Sequence, residues 1–239
     1  MSSTHGRIDV HSHLLPGVDD GCATLEESLA CARKLAEAGY THAFCTPHIW
    51  PNLPKNTVEE IGKRTARLQH AFDEAKVPLK LLPGGELNLR PDIIDTPPDE
   101  LPTYGMARKF CLFDIWAEKI PGFFWKSVEW LKSLGLRPII AHPERMRAVQ
   151  DQPELAQEFA DAGLLLQGNL QCFGDPPHTH TRRLAEQFLQ ENRYFALGSD
   201  CHNLPGLQLR LDGLKNAIGL VGREEILRLT RDNPAQLIA

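Results

Sequence analysis

The sequence predicts an α/β protein built on a parallel sheet. Short apolar strand-like runs alternate with amphipathic helical stretches in seven strand–helix units, and no internal repeat or composition break divides the 239 residues. Parallel neighbours require crossover connections, so this alternation implies them. At this length a closed barrel or an open doubly wound sheet would accommodate the units as one domain, residues 1–239.

The first strand is expected at Arg7–Val10. A helix follows, opened by the Thr24/Glu27 capping box, carried by Leu25, Leu29, Ala32, Leu35 and Ala36, and closed by Gly39. Thr41–Thr46 reads as the second strand, and Val58, Ile61, Thr65, Leu68, Phe72 and Ala75 repeat at the period of one helical face. Leu79–Leu82 is the third strand. A connection containing Pro91, Pro97, Pro98 and Pro102, with room for one short helix, leads to the fourth at Phe110–Ile115. Helices at Phe123–Leu134, Pro153–Ala162 and Thr181–Glu191 then alternate with strands at Arg137–Ala141, Leu164–Gln167 and Tyr194–Gly198, with Gly135 and Gly163 as stops. Helices near Leu207–Leu220 and Glu224–Arg231 end the chain.

Composition excludes several function classes. Lys plus Arg number 26 against 31 Asp plus Glu, a formal charge of −5, with no basic stripe to neutralise phosphates, so nucleic acid is not an expected partner. No run approaches the apolar length of a membrane span and Met1–Val10 lacks a signal-peptide core, which points to the cytoplasm. Cys22, Cys31, Cys45, Cys111, Cys172 and Cys201 form no Cys-x-x-Cys pair and read as reduced thiols.

Metal-competent side chains fall at the strand ends. His11 and His13 follow the first strand, His48 the second and Glu86 the third; Asp114 ends the fourth; His142 follows the fifth, and Asp200 and His202 the seventh. Asp20, or Asp19 beside it, lies in the loop after the first strand. In a parallel barrel the C-terminal strand ends share one mouth, so these nine side chains would meet there. His11 and His13 sit at i and i+2, a spacing that lets two imidazoles reach one ion, and Asp9 is placed to orient one of them. Five histidines and four carboxylates without cysteine suit Mn²⁺, Fe²⁺, Co²⁺ or Zn²⁺, and nine ligands exceed what one ion takes, so two or three ions are expected. His5, His42, His70, His178 and His180 lack this placement; His70 should face solvent, and the His178–His180 pair belongs to a loop.

Asp9-Val10-His11-Ser12-His13, Asp19-Asp20-Gly21, Thr46-Pro47-His48, Gly85-Glu86, Ala141-His142-Pro143-Glu144-Arg145 and Ser199-Asp200-Cys201-His202-Asn203 together resemble the motif series of the polymerase and histidinol phosphatase (PHP) superfamily. More narrowly, they are similar to its bacterial metal-dependent protein-tyrosine phosphatases of capsular and exopolysaccharide synthesis. The resemblance implies a distorted (β/α)7 TIM-like barrel and a three-metal cluster, usually manganese, on His11, His13, Asp20, His48, Glu86, Asp114, His142, Asp200 and His202. It selects Asp20 over Asp19, makes Glu86 the bridge between ions and gives Arg145 a phosphate-holding role. Two departures stand out. Asp114 occupies a position where those phosphatases carry Glu, one methylene longer. The arginine they place shortly after Asp-x-His-Asn is also missing, Arg210 being the nearest substitute.

Phosphotyrosine hydrolysis through a metal-activated hydroxide follows from that resemblance, with the ions and Arg145 on the phosphoryl oxygens and His202 or Asp200 as an acid with which ligation competes. A tyrosine-phosphorylated kinase tail is the implied protein substrate. A cysteine-based mechanism would place Arg six positions after its Cys, but Ser28, Glu37, Pro51, Ala117, His178 and Leu207 stand there. The competing readings are a phosphoesterase for a small phosphomonoester such as histidinol phosphate and a non-catalytic metal-containing binding protein. Trp50, in the loop after His48, either walls the phosphoryl pocket or packs as a core aromatic.

Overall fold

The computed structural model describes residues 5–238. In chain order these form β1 (Arg7–Ser12), α1 (Leu25–Glu37), β2 (Tyr40–Cys45), β3 (His48–Ile49), α2 (Val58–Glu74), β4 (Lys80–Pro83), β5 (Glu86–Asn88) and β6 (Phe110–Asp114). Then come α3 (Phe124–Ser133), β7 (Arg137–Ala141), α4 (Arg147–Asp151), α5 (Leu155–Asp161), β8 (Leu165–Asn169), α6 (Leu170–Gly174), α7 (His180–Gln190), β9 (Ala196–Gly198), α8 (Leu204–Val221) and α9 (Arg223–Leu227). Every strand pairing is parallel, in the orders β1-β2-β4 and β3-β5-β6-β7-β8-β9.

The sheet curls back on itself. Beyond β9, Asp200 N donates to His11 O at 2.7 Å and His13 N to Cys201 O at 2.9 Å, which sets the last strand against the first. Ile8 and Val10 of β1, Phe44 of β2, Leu112 of β6, Ile139 of β7 and Ala196 of β9 share one buried cluster. Strands that are not neighbours can share it only if the inner face closes around it. A larger cluster lies between sheet and helices, including Leu35 of α1, Phe72 of α2, Phe124 of α3 and Phe188 of α7.

Two expected strands are each followed by a short strand that the sequence did not announce, and the two breaks sit side by side. Pro47 cannot donate to the ladder, so β2 stops at Cys45 and β3 starts just past the proline, at His48; Gly84 and Gly85 part β4 from β5. A Cβ on Gly85 would lie 2.6 Å from Pro102 Cβ, so glycine is required where this chain passes the proline-rich connection. Past the breaks, His48 and Glu86 are in register. In β1 the pairing slips between Asp9 and Ser12, a bulge that re-aims the strand end carrying His11 and His13.

Most expected helices form with the signals that announced them. Thr24 Oγ1 accepts from Glu27 N at 3.3 Å, and Glu27 reaches back to Ala23 N. α8 begins three residues earlier than expected because Asn203 Oδ1 caps Gly206 N at 2.7 Å with Pro205 in the first turn. The proline-rich connection holds three 3₁₀ turns, at Pro91–Asp95, Pro98–Glu100 and Tyr104–Met106, in place of one short helix. The expected Glu224–Arg231 helix changes to π geometry at Arg228–Asp232. α4 and α6, five residues each, were not expected; one turn is too short for a hydrophobic period. α6 crosses α8 backbone to backbone, since a Cβ on Gly213 would stand 1.9 Å from Leu170 O and one on Gly174 2.3 Å from Leu209 O. Among the described residues no helix is long and apolar enough to cross a membrane.

Candidate metal centre

The strand ends bring all nine expected side chains together. Four groups of mutually close ligand atoms occur: His13, Asp20, His48 and His202; His11, Glu86 and His142; His11, His13 and Asp200; and His48, Glu86 and Asp114. Shared members join them into one basin. His11, His13 and Glu86 are fully buried, His48 and His142 nearly so, and Asp20 stands at the edge with its side chain 65% exposed. Glu86 is central: Oε2 lies 2.8 Å from His48 Nδ1 and 3.5 Å from His11 Nε2, and Oε1 lies 3.1 Å from His142 Nε2. Asp20 Oδ1 is 3.3 Å from His48 Nε2 and 3.4 Å from His202 Nε2.

The donor set fits a cluster of divalent cations. His11 Nδ1 lies 2.8 Å from Gln167 Oε1, whose amide is oriented by its own N–H bond to Gly168 O, and His13 Nδ1 lies 2.8 Å from Asp19 Oδ2. Both rings therefore spend their Nδ1 proton behind the site, and the two Nε2 lone pairs face each other at 3.2 Å. Asp200 Oδ1 is within 3.5 Å of both. His48 Nδ1 and Glu86 Oε2, although close, lack hydrogen-bond geometry. Lone pairs and carboxylates converging in a buried space call for positive charge. Burial alone would push the His11 and His13 rings down, yet the facing carboxylates hold His11 above the ordinary range and, with Asp19 and Asp200 as its partners, His13 well above it. Burial likewise opposes the charge on Glu86 and Asp200, and the histidines hold both well below the usual carboxylate range.

Asp114 enters the basin despite its short side chain. Asn88 Nδ2 donates to it at 3.4 Å and the Trp116 indole N–H donates to its other oxygen, while burial and the Glu86 charge push it up to about 7. His142 and Asp200 are held at φ +34° and +51°, a backbone region that non-glycine residues enter at a cost of about 1–3 kcal/mol, typical of functional sites.

Asp19 and Asp20 divide the labour that the sequence left open. Asp19 is buried behind the site, accepting from the His13 ring, Gly21 N and His48 N, and those contacts hold it at about 2 against burial. Asp20 faces the ligands. Asp9 does not orient a ring. It accepts from His11 N at 3.3 Å and from Ser199, tying β1 to the Asp200 loop; Gln167 does the orienting instead. Gln167 carried no sequence signal, being one polar residue in an apolar strand 156 positions from its partner.

Arg145 Nη1 donates to Asp200 Oδ2 at 2.7 Å, and Asn169 Nδ2 donates to the same oxygen at 2.7 Å. Arg210 does not substitute for a second phosphate-holding arginine. It is buried, with Nε donating to Ser199 O and Asp200 O at 2.8 Å each and Nη1 to Gly206 O, so its charge props the Asp200 loop from behind. Trp50 stacks on His48 with ring centroids 4.1 Å apart and lines a neighbouring groove of about 620 Å³ whose lining includes neither Arg145 nor any of the nine ligands, so it packs against the site and is not part of the cavity beside Arg145. His70 is exposed, as expected, and so are His178 and His180; none of these, nor His42, joins the basin.

A family model for capsular polysaccharide synthesis, CpsB/CapC, matches residues 7–239. The chain belongs to the CpsB/CapC family. Among its CpsB/CapC relatives, the tyrosine-protein phosphatase CpsB of Streptococcus agalactiae serotype V is 30% identical over 208 residues, covering 82% of this chain and 83% of the relative. The tyrosine-protein phosphatase YwqE of Bacillus subtilis is 28% identical over 202 residues, covering 82% and 78%. The fold matches a crystal structure from work on YwqE of Bacillus subtilis and CpsB of Streptococcus pneumoniae, described as unique metal-dependent tyrosine phosphatases. The TM-score is 0.87 at 23% identity, covering 97% of this chain and 94% of that one. A phosphotriesterase homology protein from Escherichia coli, solved with phosphate in its active site, shares the architecture more loosely, with a TM-score of 0.62 at 11% identity over 97% and 98% of the two chains.

Proposed function

We propose that this CpsB/CapC-family chain is a metal-dependent phosphatase that hydrolyses phosphotyrosine on proteins and so regulates capsule or exopolysaccharide synthesis. One observation carries the reading: nine nitrogen and oxygen ligands meet in a single buried basin, with the Arg145 guanidinium bonded to one of them, Asp200, and partly exposed beside it. Under this reading His11, His13, Asp20, His48, Glu86, Asp114, His142, Asp200 and His202 hold two or three ions, with manganese the foremost choice and iron, cobalt or zinc as alternatives. Bound there, the ions would supply Lewis-acid neutralisation of phosphoryl oxygens and a water acidic enough to attack near neutral pH.

The chain's own residues do the rest. Arg145 takes the outward phosphoryl oxygens through charge-assisted bonds. Asp200 stays a carboxylate, since Arg145, Asn169 and the histidines all favour its charge, and it serves as ligand; His202, whose ring is 19% exposed, can protonate the leaving oxygen only when its Nε2 is not taken by an ion. Phenolate, with a parent pKa of about 10, asks little of that acid. Seven of the nine ligand residues are buried, with Asp20 and His202 at the edge, and a tyrosyl side chain carries its phosphoryl group a ring's length farther from the backbone than a seryl one.

The groove running from Trp50 past Leu87 and Ile93 suits the polypeptide on either side of the phosphotyrosine, such as a bacterial tyrosine-kinase tail. The same reading takes residues 1–239 as one cytoplasmic domain, a distorted (β/α)7 barrel in which β2–β3 and β4–β5 each count as one strand. The test is turnover by the manganese-loaded protein of a phosphotyrosyl peptide and of histidinol phosphate. The peptide should be favoured at least tenfold in kcat/KM, and chelation should abolish its cleavage. Absence of any aryl-phosphate cleavage by metal-replete protein would refute the proposal.

A further inference from the structure

Trp116 follows β6 by two residues and is 67% exposed, an unusual place for the largest apolar side chain. It is nevertheless fixed at two points. Its indole N–H donates to Asp114, and its ring stands perpendicular to Trp50, with centroids 6.3 Å apart and an interplanar angle of 85°. Trp50 is in turn stacked on His48. The indole is thus tied to two members of the ligand basin while much of its surface stays uncovered. Beside it lies a cavity of about 120 Å³, whose lining combines apolar Trp116, Ile115, Ala141 and Met146 with polar Asp114, His142 and Arg145.

The two kinds of lining suit two parts of one substrate. A phosphoryl group held by Arg145 would sit at the cavity that Arg145 and Trp116 both line, and the apolar surface it offers an ester substituent is an indole with aliphatic and thioether neighbours. Resting on the phosphatase reading above, we infer that Trp116 is a specificity-determining residue, walling a slot for the aromatic ring of the phosphotyrosine. Selection for aryl over alkyl phosphates then has a binding component in this chain beyond the easier departure of a phenolate. An aromatic pair in such a slot gains from buried area and from ring–ring geometry together, which corresponds to about a tenfold effect on affinity.

Phosphonates isolate that component, because they bind without a leaving group. Calorimetric titration of manganese-loaded wild type, Trp116→Ala and Trp116→Phe with phenylphosphonate and with methylphosphonate reads ring recognition alone. Wild type should prefer phenylphosphonate. Trp116→Ala should bind it about tenfold more weakly while holding methylphosphonate within about twofold, and Trp116→Phe, which keeps a ring but not the N–H bond to Asp114, should retain most of the preference. Equal loss of both ligands in Trp116→Ala, a Trp116→Phe variant as impaired as the alanine, or no loss at all would overturn the slot, the first by showing that Trp116 acts only through Asp114. Phenyl phosphate turnover by wild type, run alongside, separates the two claims. Turnover with an unchanged phosphonate ratio sinks the slot alone, whereas a wild type that neither turns over phenyl phosphate nor binds either phosphonate sinks the phosphatase reading with it.

Discussion

Glu86→Gln should lower kcat/KM on a phosphotyrosyl peptide by about a thousandfold or more, the equivalent of about 4 kcal/mol of transition-state stabilisation. The substitution keeps volume and shape and removes one charge. It falls where His48 Nδ1, His142 Nε2 and His11 Nε2 all lie within 3.5 Å of the carboxylate, and where two of the four ligand groups intersect. An amide has one oxygen to offer and presents N–H where an ion would bind, so the ion count per chain should fall together with activity. Elemental analysis beside steady-state kinetics checks both, and a thermal melt confirms that the variant is folded. A fully active Glu86→Gln protein would remove Glu86 from the centre of the site.

Arg145→Ala should cost about a hundredfold to a thousandfold in kcat/KM while leaving the metal content near that of wild type. The guanidinium grips Asp200 Oδ2, but Asn169 holds the same oxygen at the same distance, so the ligand keeps its orientation when the arginine goes. What disappears is the guanidinium that, among the described residues, supplies the cation in the lining of the small cavity beside His142. Arg145→Lys should recover only part of the loss, since an ammonium is a point charge and cannot present the planar fork. Phosphopeptide kinetics with metal analysis decide it, and an unchanged kcat/KM in Arg145→Ala would place phosphate binding elsewhere.

The ligand basin was legible because its chemistry recurs with the chain's own rhythm. Six of the seven expected strands end on or are followed by an imidazole or a carboxylate, and a parallel sheet needs no knowledge of contacts to bring strand ends together. The supporting residues were not legible, because their meaning lies in partners far along the chain. Gln167 gains its role only when β8 meets the end of β1, Asp9 only when Ser199 arrives from 190 residues away, and Arg210 only when α8 packs beneath the Asp200 loop. Asp9 and Arg210 were assigned to ring orientation and phosphate binding on sequence position; hydrogen-bond demand assigns them to the Asp200 loop instead, since that loop, with Asp200 in a left-handed conformation, leaves carbonyls that need the Arg210 donors and a Ser199 N–H that needs the Asp9 acceptor. The same limit holds for the fold. α1 and α2 announced themselves by caps and period, whereas β3, β5, α4 and α6 hold two to five residues each and are set by what they pack against.

The central claim is that imidazoles and carboxylates spread from His11 to His202 hold several cations in one place. Anomalous diffraction from crystals of the manganese-loaded protein addresses it without reference to activity. Two or three peaks within coordination distance of Glu86, His11, His48 and His142 are the expected result. Manganese peaks confined to the protein surface, with the Glu86 carboxylate contacting only protein, would contradict it.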